Sequence, residues 1–236
     1  MPETVSICLA GGSGLVGSAV LKASLGSHRV HHIHHLCRKP LSISHQKLRQ
    51  HCHPHLGLPV MDEPNAKVQV QVGIIALGTT LKKAGSRAKL RAIDVDLVLQ
   101  VATTMKSHGV AHLLVVSSIG ASVKAMSHYL RCKGDMEQGL IELGFPYLDI
   151  MQPGPLKGLR DEIRRDEVWL QRAMACIAPV MIGPLANYQP INGNEIAQAM
   201  LALIDLRQQQ AMSATNKQGV VARFNRQQIL KLINLA

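Results

Sequence analysis

Three glycines at three-residue spacing, Gly11, Gly14 and Gly17, break an apolar run and hand it over to a helical pattern: Val5-Ser6-Ile7-Cys8-Leu9-Ala10-Gly11-Gly12-Ser13-Gly14-Leu15-Val16-Gly17. Residues 5–10 read as a parallel strand buried on both faces. Gly11 then supplies a tight turn that a side chain would obstruct. Gly14 lets backbone approach a pyrophosphate, and Gly17 lets the next helix lie close to the strand. The helix expected over residues 15–25, ended by Gly26, points its N-terminal amides and the positive end of its dipole at the turn. Gly12, Ser13, Leu15 and Val16 complete the loop that would meet the phosphates. This is the local chemistry of a dinucleotide site.

The rest of the chain supports a strand and helix alternation around that turn. Strands are expected at residues 5–10, 30–37, 58–61, 72–77, 113–117 and 147–151, with helices between several of them. That order predicts an α/β fold, a doubly wound parallel sheet of the Rossmann kind. A long helix is expected over residues 89–107. Leu90, Ile93, Leu97, Val101 and Met105 would form its buried face, and Gly109 would close it. After Pro153 the alternation weakens. Residues 157–172 are rich in Arg, Asp and Glu, as a solvated helix or a lid would be. Asn192-Gly193-Asn194-Glu195 reads as a capping-box start to a helix over 196–206, and Asn225 as the cap of a last helix.

At 236 residues, 47% of them hydrophobic, the chain is expected to be a single domain over 1–236, with residues from about 154 to 236 contributing a small substrate lobe. No run approaches the ~18 apolar residues of a membrane span, and Met-Pro-Glu-Thr does not open like a signal peptide. Five scattered cysteines without C-x-x-C spacing fit free thiols in a reducing compartment, so a cytoplasmic protein is expected. A buried and an exposed apolar helix face read alike in sequence, and the oligomeric state stays open.

The formal net charge of +11 is spread along the chain, and aromatics make up only 3%. Base-stacking platforms for single strands are therefore not expected, and nucleic acid is not the expected partner. A phosphate-bearing small molecule accounts for part of the charge. Cys37-Arg38-Lys39-Pro40 follows the second strand, where a site that prefers NAD would place a carboxylate on the ribose 2′-hydroxyl. Two cations stand there instead. Arg38 could grip a 2′-phosphate, with Lys39 adding a point charge, which favours NADP(H).

Further along, Ala76-Leu77-Gly78-Thr79-Thr80 leaves the strand at 72–77 on the sheet edge where open α/β folds hold ligands, so Leu77, Gly78, Thr79 and Thr80 are expected to line the cofactor. Ser117-Ser118 ends the strand at 113–117. Tyr129 and Lys133 follow on an expected helix over 128–143, one turn apart and on one face. Lys133 would help the Tyr129 phenol exchange a proton with a carbonyl oxygen, and Ser118, or Ser117 in its place, would hydrogen-bond the same oxygen.

Taken together, G-G-S-G-L-V-G, C-R-K-P, A-L-G-T-T, V-V-S-S-I-G-A, Y-L-R-C-K and M-Q-P-G-P-L in this order resemble an atypical short-chain dehydrogenase/reductase, in the branch that contains the Tat-interacting-protein oxidoreductase and its bacterial relatives. The resemblance implies NADP(H) on the Gly11, Gly14, Gly17 turn and active-site roles for Ser118, Tyr129 and Lys133. It also implies that Lys133 and Ser117 border the cofactor, that Pro153-Gly154 lies beside the nicotinamide, and that the substrate is a small-molecule carbonyl. An NADP(H)-binding regulatory or assembly protein is the alternative.

Two features depart from the family. Gln152 stands where many relatives carry Arg, and Val30-His31-His32-Ile33-His34-His35-Leu36 puts imidazoles where relatives are aliphatic. Nine of the twelve histidines fall between His28 and His55. No carboxylate or cysteine completes a ligand set at fixed spacing, so surface or half-buried imidazoles are expected, with no metal site.

Overall fold

The computed structural model describes residues 4–58, 70–157, 183–213 and 219–234. Strands β1 (Val5–Ala10), β2 (Val30–Cys37), β3 (Leu48–Cys52), β4 (Val72–Ile75), β5 (His112–Val116), β6 (Tyr147–Gln152) and β9 (Val220–Asn225) form one sheet in the order β3-β2-β1-β4-β5-β6-β9. Every neighbouring pair in it is parallel. A two-stranded ribbon joins β7 (Leu156–Lys157) to β8 (Ile191–Asn192). The fold is Rossmann-like α/β. Its strand order reverses direction between β1 and β4, and in such sheets the crevice outside the strand ends at that point is where ligands lie.

The inner strands β1, β4 and β5 are largely apolar because both faces are covered. One face carries α3 (Arg87–Arg91), α4 (Leu97–Ser107) and α5 (His128–Glu142), with Leu90, Val98, Met136 and Leu140 in its core. The other carries α1 (Leu15–Gly26), α6 (Gly193–Ser213) and α7 (Arg226–Ile233), with Val20, Leu21, Met200, Leu203 and Ile229. Residues at the end of the chain thus finish the main sheet with β9 and cover it with α6 and α7. Among the described residues, no helix is long and apolar enough to cross a membrane.

Several expectations change. The strand expected at 58–61 falls mostly outside the described residues, and its one described residue, Leu58, is in no strand. The charged stretch at 157–172, with its Arg160, Arg164 and Arg165, lies outside them from residue 158 onward. Four described strands were not expected: the short pair β7 and β8, and in the main sheet β3, whose Leu-Arg-Gln-His-Cys is polar and half-exposed at one edge, and β9 at the other edge. Helix α1 keeps Gly26 inside its last turn and stops at Ser27.

The single helix expected over 89–107 is interrupted by a π turn, Ala92–Asp96, between α3 and α4. The wider turn takes in one extra residue and rotates the buried face. Asp94, Val95 and Val98 now point inward along with Leu90, Val101 and Met105, while Ile93 and Leu97 are only half-buried. Gly109, at φ +89°, closes α4 as expected. Both anticipated caps form. Glu195 accepts from the Asn192 amide, and Asn225 and Gln228 make a reciprocal capping box.

Candidate functional site

The glycine turn after β1 is held by close approach. Gly11 sits at φ +94°, and a Cβ there would stand 2.6 Å from the carbonyl oxygen of Ala76, just past the end of the neighbouring β4. A Cβ on Gly17 would overlap the Gly11 carbonyl oxygen, whereas one on Gly14 would meet that oxygen at 3.3 Å and the Ala76 carbonyl oxygen at 3.9 Å. Helix α1 has Gly14 as its N-cap, with no side chain capping its first amides and no acidic residue in its first turn. Its N-terminus therefore presents N–H donors and a positive dipole end with no anion of its own. Ser13 and Gly14 are exposed. Gly12 is buried under the His35 ring of β2, which a Cβ would strike at 2.6 Å.

A cleft of about 280 Å³ opens beside this turn at the ends of β1, β4 and β5. Gly14, Leu15 and Val16 form one wall, and Ala76, Leu77, Gly78, Thr79, Thr80 and Leu81 another. Val116, Ser117, Tyr129, Lys133 and Leu156 complete it. The structure thus brings the expected Tyr and Lys to the same cleft as the glycine turn. Tyr129 is half-buried, and Lys133, 2% exposed, has its Nζ 6.0 Å from the centre of the Tyr129 ring.

Lys133 is not a free ammonium. Its Nζ lies 3.0 Å from Oδ2 of Asp94, which is fully buried and accepts a 2.8 Å hydrogen bond from the Thr79 amide on its other oxygen. Asp94 lies in the π turn and reaches into the site from there. At 3.6 residues per turn position 94, four after Leu90 and three before Leu97, falls on the apolar stripe, so a carboxylate among apolar residues is a usable signal.

The serine pair divides. Ser117 lines the cleft, but its hydroxyl donates a 2.5 Å hydrogen bond to Oε1 of the buried Glu137. Ser118 lies outside the cleft lining, and its hydroxyl turns back to the Ile119 carbonyl at 3.3 Å. Glu137 also accepts from Gln152 Nε2 at 2.8 Å and from Arg223 Nε at 2.9 Å. The cation expected in relatives at position 152 is therefore absent there, and an arginine arrives instead from β9. Neither Glu137 nor Arg223 was anticipated. Glu137 lies on the Lys133 face of α5, four residues on, which is a usable signal, whereas Arg223 depends on a strand pairing that sequence did not reveal.

Arg38 and Lys39 stand exposed just past the end of β2, outside the cleft lining. Pro153 and Gly154 are buried, and a Cβ on Gly154 would come 2.7 Å from the Asn187 carbonyl, so this glycine serves a backbone crossing. Thr80 caps the short helix α2 (Leu81–Ala84) by accepting from the Lys83 amide. The β2 histidines are mixed: His31 is exposed, His34 and His35 are buried, and His34 Nδ1 lies 3.0 Å from His51 Nε2 on β3. Burial, His51, His32 and Arg49 together push His34 down to about 4, and burial likewise lowers His32, His35 and His51. Among the described residues, no group of three His, Cys, Asp or Glu side chains could hold a metal ion.

Comparison with known proteins sets this architecture in a family. Protein HTATIP2 of Rattus norvegicus is 33% identical over 171 residues, 72% of this chain and 70% of its own. Protein FMP52, mitochondrial, of Coccidioides immitis is 31% identical over 166 residues, 66% of this chain and 68% of its own. Among solved structures, MoeE5 in complex with UDP-glucose and NAD superposes with a TM-score of 0.60 at 12% identity, covering 98% of this chain and 82% of its own. That likeness is one of fold. The FMP52 relatives, several of them fungal, are named mitochondrial, and this overturns the cytoplasmic location expected from sequence. Residues 44–178, more than half of the chain, match the family described as HIM1, and the chain belongs to that family.

Proposed function

We propose that this chain is an NADPH-dependent reductase of the short-chain dehydrogenase/reductase type, acting on a carbonyl of a small molecule, and that it works in mitochondria as its FMP52 relatives are named to do. The observation that carries this reading is the convergence of Tyr129 and Lys133 on the cleft that the glycine turn opens onto.

The residues present fit a dinucleotide. The first amides of α1 have no side-chain cap, Gly14 is exposed, and Gly11 and Gly17 permit the close backbone approaches the turn requires. Gly11, Gly12, Ser13, Gly14, Leu15, Val16 and Gly17 would hold the pyrophosphate. Arg38 and Lys39, with no carboxylate beside them at the end of β2, favour a 2′-phosphate and hence NADP over NAD. Leu77, Gly78, Thr79 and Thr80 would flank the dinucleotide across the cleft, with Pro153 and Gly154 behind it. Bound NADPH would supply a hydride. Tyr129 would donate a proton to the carbonyl oxygen, and Lys133 would stabilise the phenolate left behind and hold a ribose hydroxyl. Ser117, which faces the cleft, is better placed than Ser118 to touch that oxygen.

A second reading has its own support: Ser117 already donates to Glu137 and Lys133 is already paired with Asp94. Polar groups so satisfied suit a nucleotide-responsive regulatory protein with little turnover. Calorimetric titration with NADPH and NADH, on the wild type and Arg38→Ala, tests the cofactor. A preference for NADPH that Arg38→Ala abolishes is expected, and failure to bind either nucleotide would overturn both readings. A carbonyl screen with Tyr129→Phe then separates them. The reductase loses NADPH oxidation with its nucleotide affinity intact, and the regulatory protein shows no oxidation to lose.

A further inference from the structure

Cys37 ends β2 and Cys52 ends β3, and the two are direct partners in the parallel register of those strands. Their Sγ atoms are 3.1 Å apart and point to the same side. Both thiols are free. Neighbouring strands hold their Cα atoms about 4.8 Å apart, inside the ~4.4–6.8 Å that a disulfide spans. The sulfurs need to close by only about 1 Å to reach the ~2.05 Å bond length.

The two cysteines are also unequal. Cys52 is exposed, whereas Cys37 is 6% exposed and sits behind it. Burial and the neighbouring Cys52 sulfur push the Cys37 thiol up to about 12. Redox-sensing cysteines characteristically pair an accessible sulfur, where oxidation starts, with a sheltered resolving one. The other described cysteines, Cys8 and Cys132, are buried and lack a cysteine partner.

We propose that Cys52 and Cys37 form a reversible disulfide on exposure to hydrogen peroxide, with Cys52 oxidised first and Cys37 resolving it. The Cys52 sulfur attacks one peroxide oxygen and the O–O bond breaks. That oxygen remains on sulfur as a sulfenic acid, and the other leaves as water with the thiol proton. The Cys37 sulfur then attacks the Cys52 sulfur. The S–O bond breaks as the S–S bond forms, and the hydroxyl departs as water with the Cys37 proton. Two thiols and one peroxide give one disulfide and two waters, a two-electron oxidation that an external dithiol reverses. The bond ties the edge strand β3 to the residue immediately before Arg38 and Lys39.

The test treats the full chain with one equivalent of hydrogen peroxide, blocks remaining thiols with N-ethylmaleimide and maps peptides by mass spectrometry. The expected result is a cross-linked Cys37–Cys52 peptide, a loss of 2 Da in the unblocked protein, and full reversal by dithiothreitol. Cys52→Ser should leave Cys37 fully alkylated. In Cys37→Ser a dimedone adduct should accumulate on Cys52. Sulfinic or sulfonic acid on Cys52 with Cys37 still alkylated in the wild type would overturn the proposal. So would a disulfide joining Cys52 of two chains. The wild-type map decides the matter even if Cys37→Ser does not fold.

Discussion

Asp94 and Lys133, from a π turn and from α5, form a 3.0 Å ion pair with 0% and 2% of their surfaces exposed. Removing one partner from such a pair leaves an uncompensated buried charge and costs about 3–5 kcal/mol. Asp94→Ala also orphans the Thr79 amide, so it should fall in that range. Asp94→Asn keeps an acceptor for Thr79 and should lose less. Replacing both charges, as Asp94→Leu with Lys133→Met, should recover most of the loss. Urea denaturation of the three variants measures this, and a cost below about 1 kcal/mol for Asp94→Ala would mean that water reaches the pair.

Glu137 gathers Ser117, Gln152 and Arg223 on one carboxylate. The arginine side chain is 47% exposed, so its bond to the buried carboxylate is partly screened, and Arg223→Met should cost only about 1 kcal/mol. Gln152→Arg would place a cation against Glu137 from β6 instead of β9. It should restore the midpoint of Arg223→Met in a double variant while doing little in the wild type. Non-additivity in this cycle is the readout, and simple additivity would show that the two positions do not share the carboxylate.

What the sequence reveals and conceals follows from where each signal resides. β1, β4, β5 and β6 are legible because burial on both faces forces largely apolar runs, β2 because Val30, Ile33, Leu36 and Cys37 mark it among its four histidines, and the glycine turn because its close approaches leave no choice of residue. β3 and β9 lie at the sheet edges. There one face is wet, and Arg49, Gln50 and Arg223 dilute the apolar pattern. Tyr129 and Lys133 come from a local helical spacing, so they could be named in advance. Their partners could not. Asp94 lies on the apolar stripe of its own helix, but its pairing with Lys133 joins residues 39 apart in the chain, and the bond of Arg223 to Glu137 joins residues 86 apart. Ser117 lines the cleft and Ser118 does not, a difference of strand phase that two adjacent serines leave open.

Acid should destabilise the histidine-rich edge. His34 is 6% exposed and held at about 4, against ~6.5 in an unfolded chain. Between those values the unfolded chain binds a proton that the folded one refuses, so stability is complete above ~6.5 and is lost as pH falls toward 4. At pH 5 the loss from His34 alone is about 2 kcal/mol. His32, His35 and His51 shift in the same direction and add to it. Urea midpoints at pH 7.5 and pH 5 should therefore differ, and His34→Val should shrink the difference. A midpoint independent of pH over that span would contradict the burial of these rings.

Two glycines of one helix make opposite predictions. Gly17, in the first turn of α1, lies against the Gly11 carbonyl, where a Cβ has no room, while Gly26 ends the same helix with nothing within 4 Å of where a Cβ would stand. Gly26→Ala should therefore leave the fold intact and stabilise it by up to about 1 kcal/mol, the propensity difference in a helix. Gly17→Ala must push the helix off the turn, at a cost of about 1–3 kcal/mol or more. Thermal melts give the stability change, and titration with NADPH gives the affinity. Because the displacement occurs where the proposed pyrophosphate site lies, Gly17→Ala should lose nucleotide binding even at temperatures where it remains folded, and Gly26→Ala should bind as the wild type does. Equal affinities for the two variants would place the nucleotide elsewhere than the α1 turn.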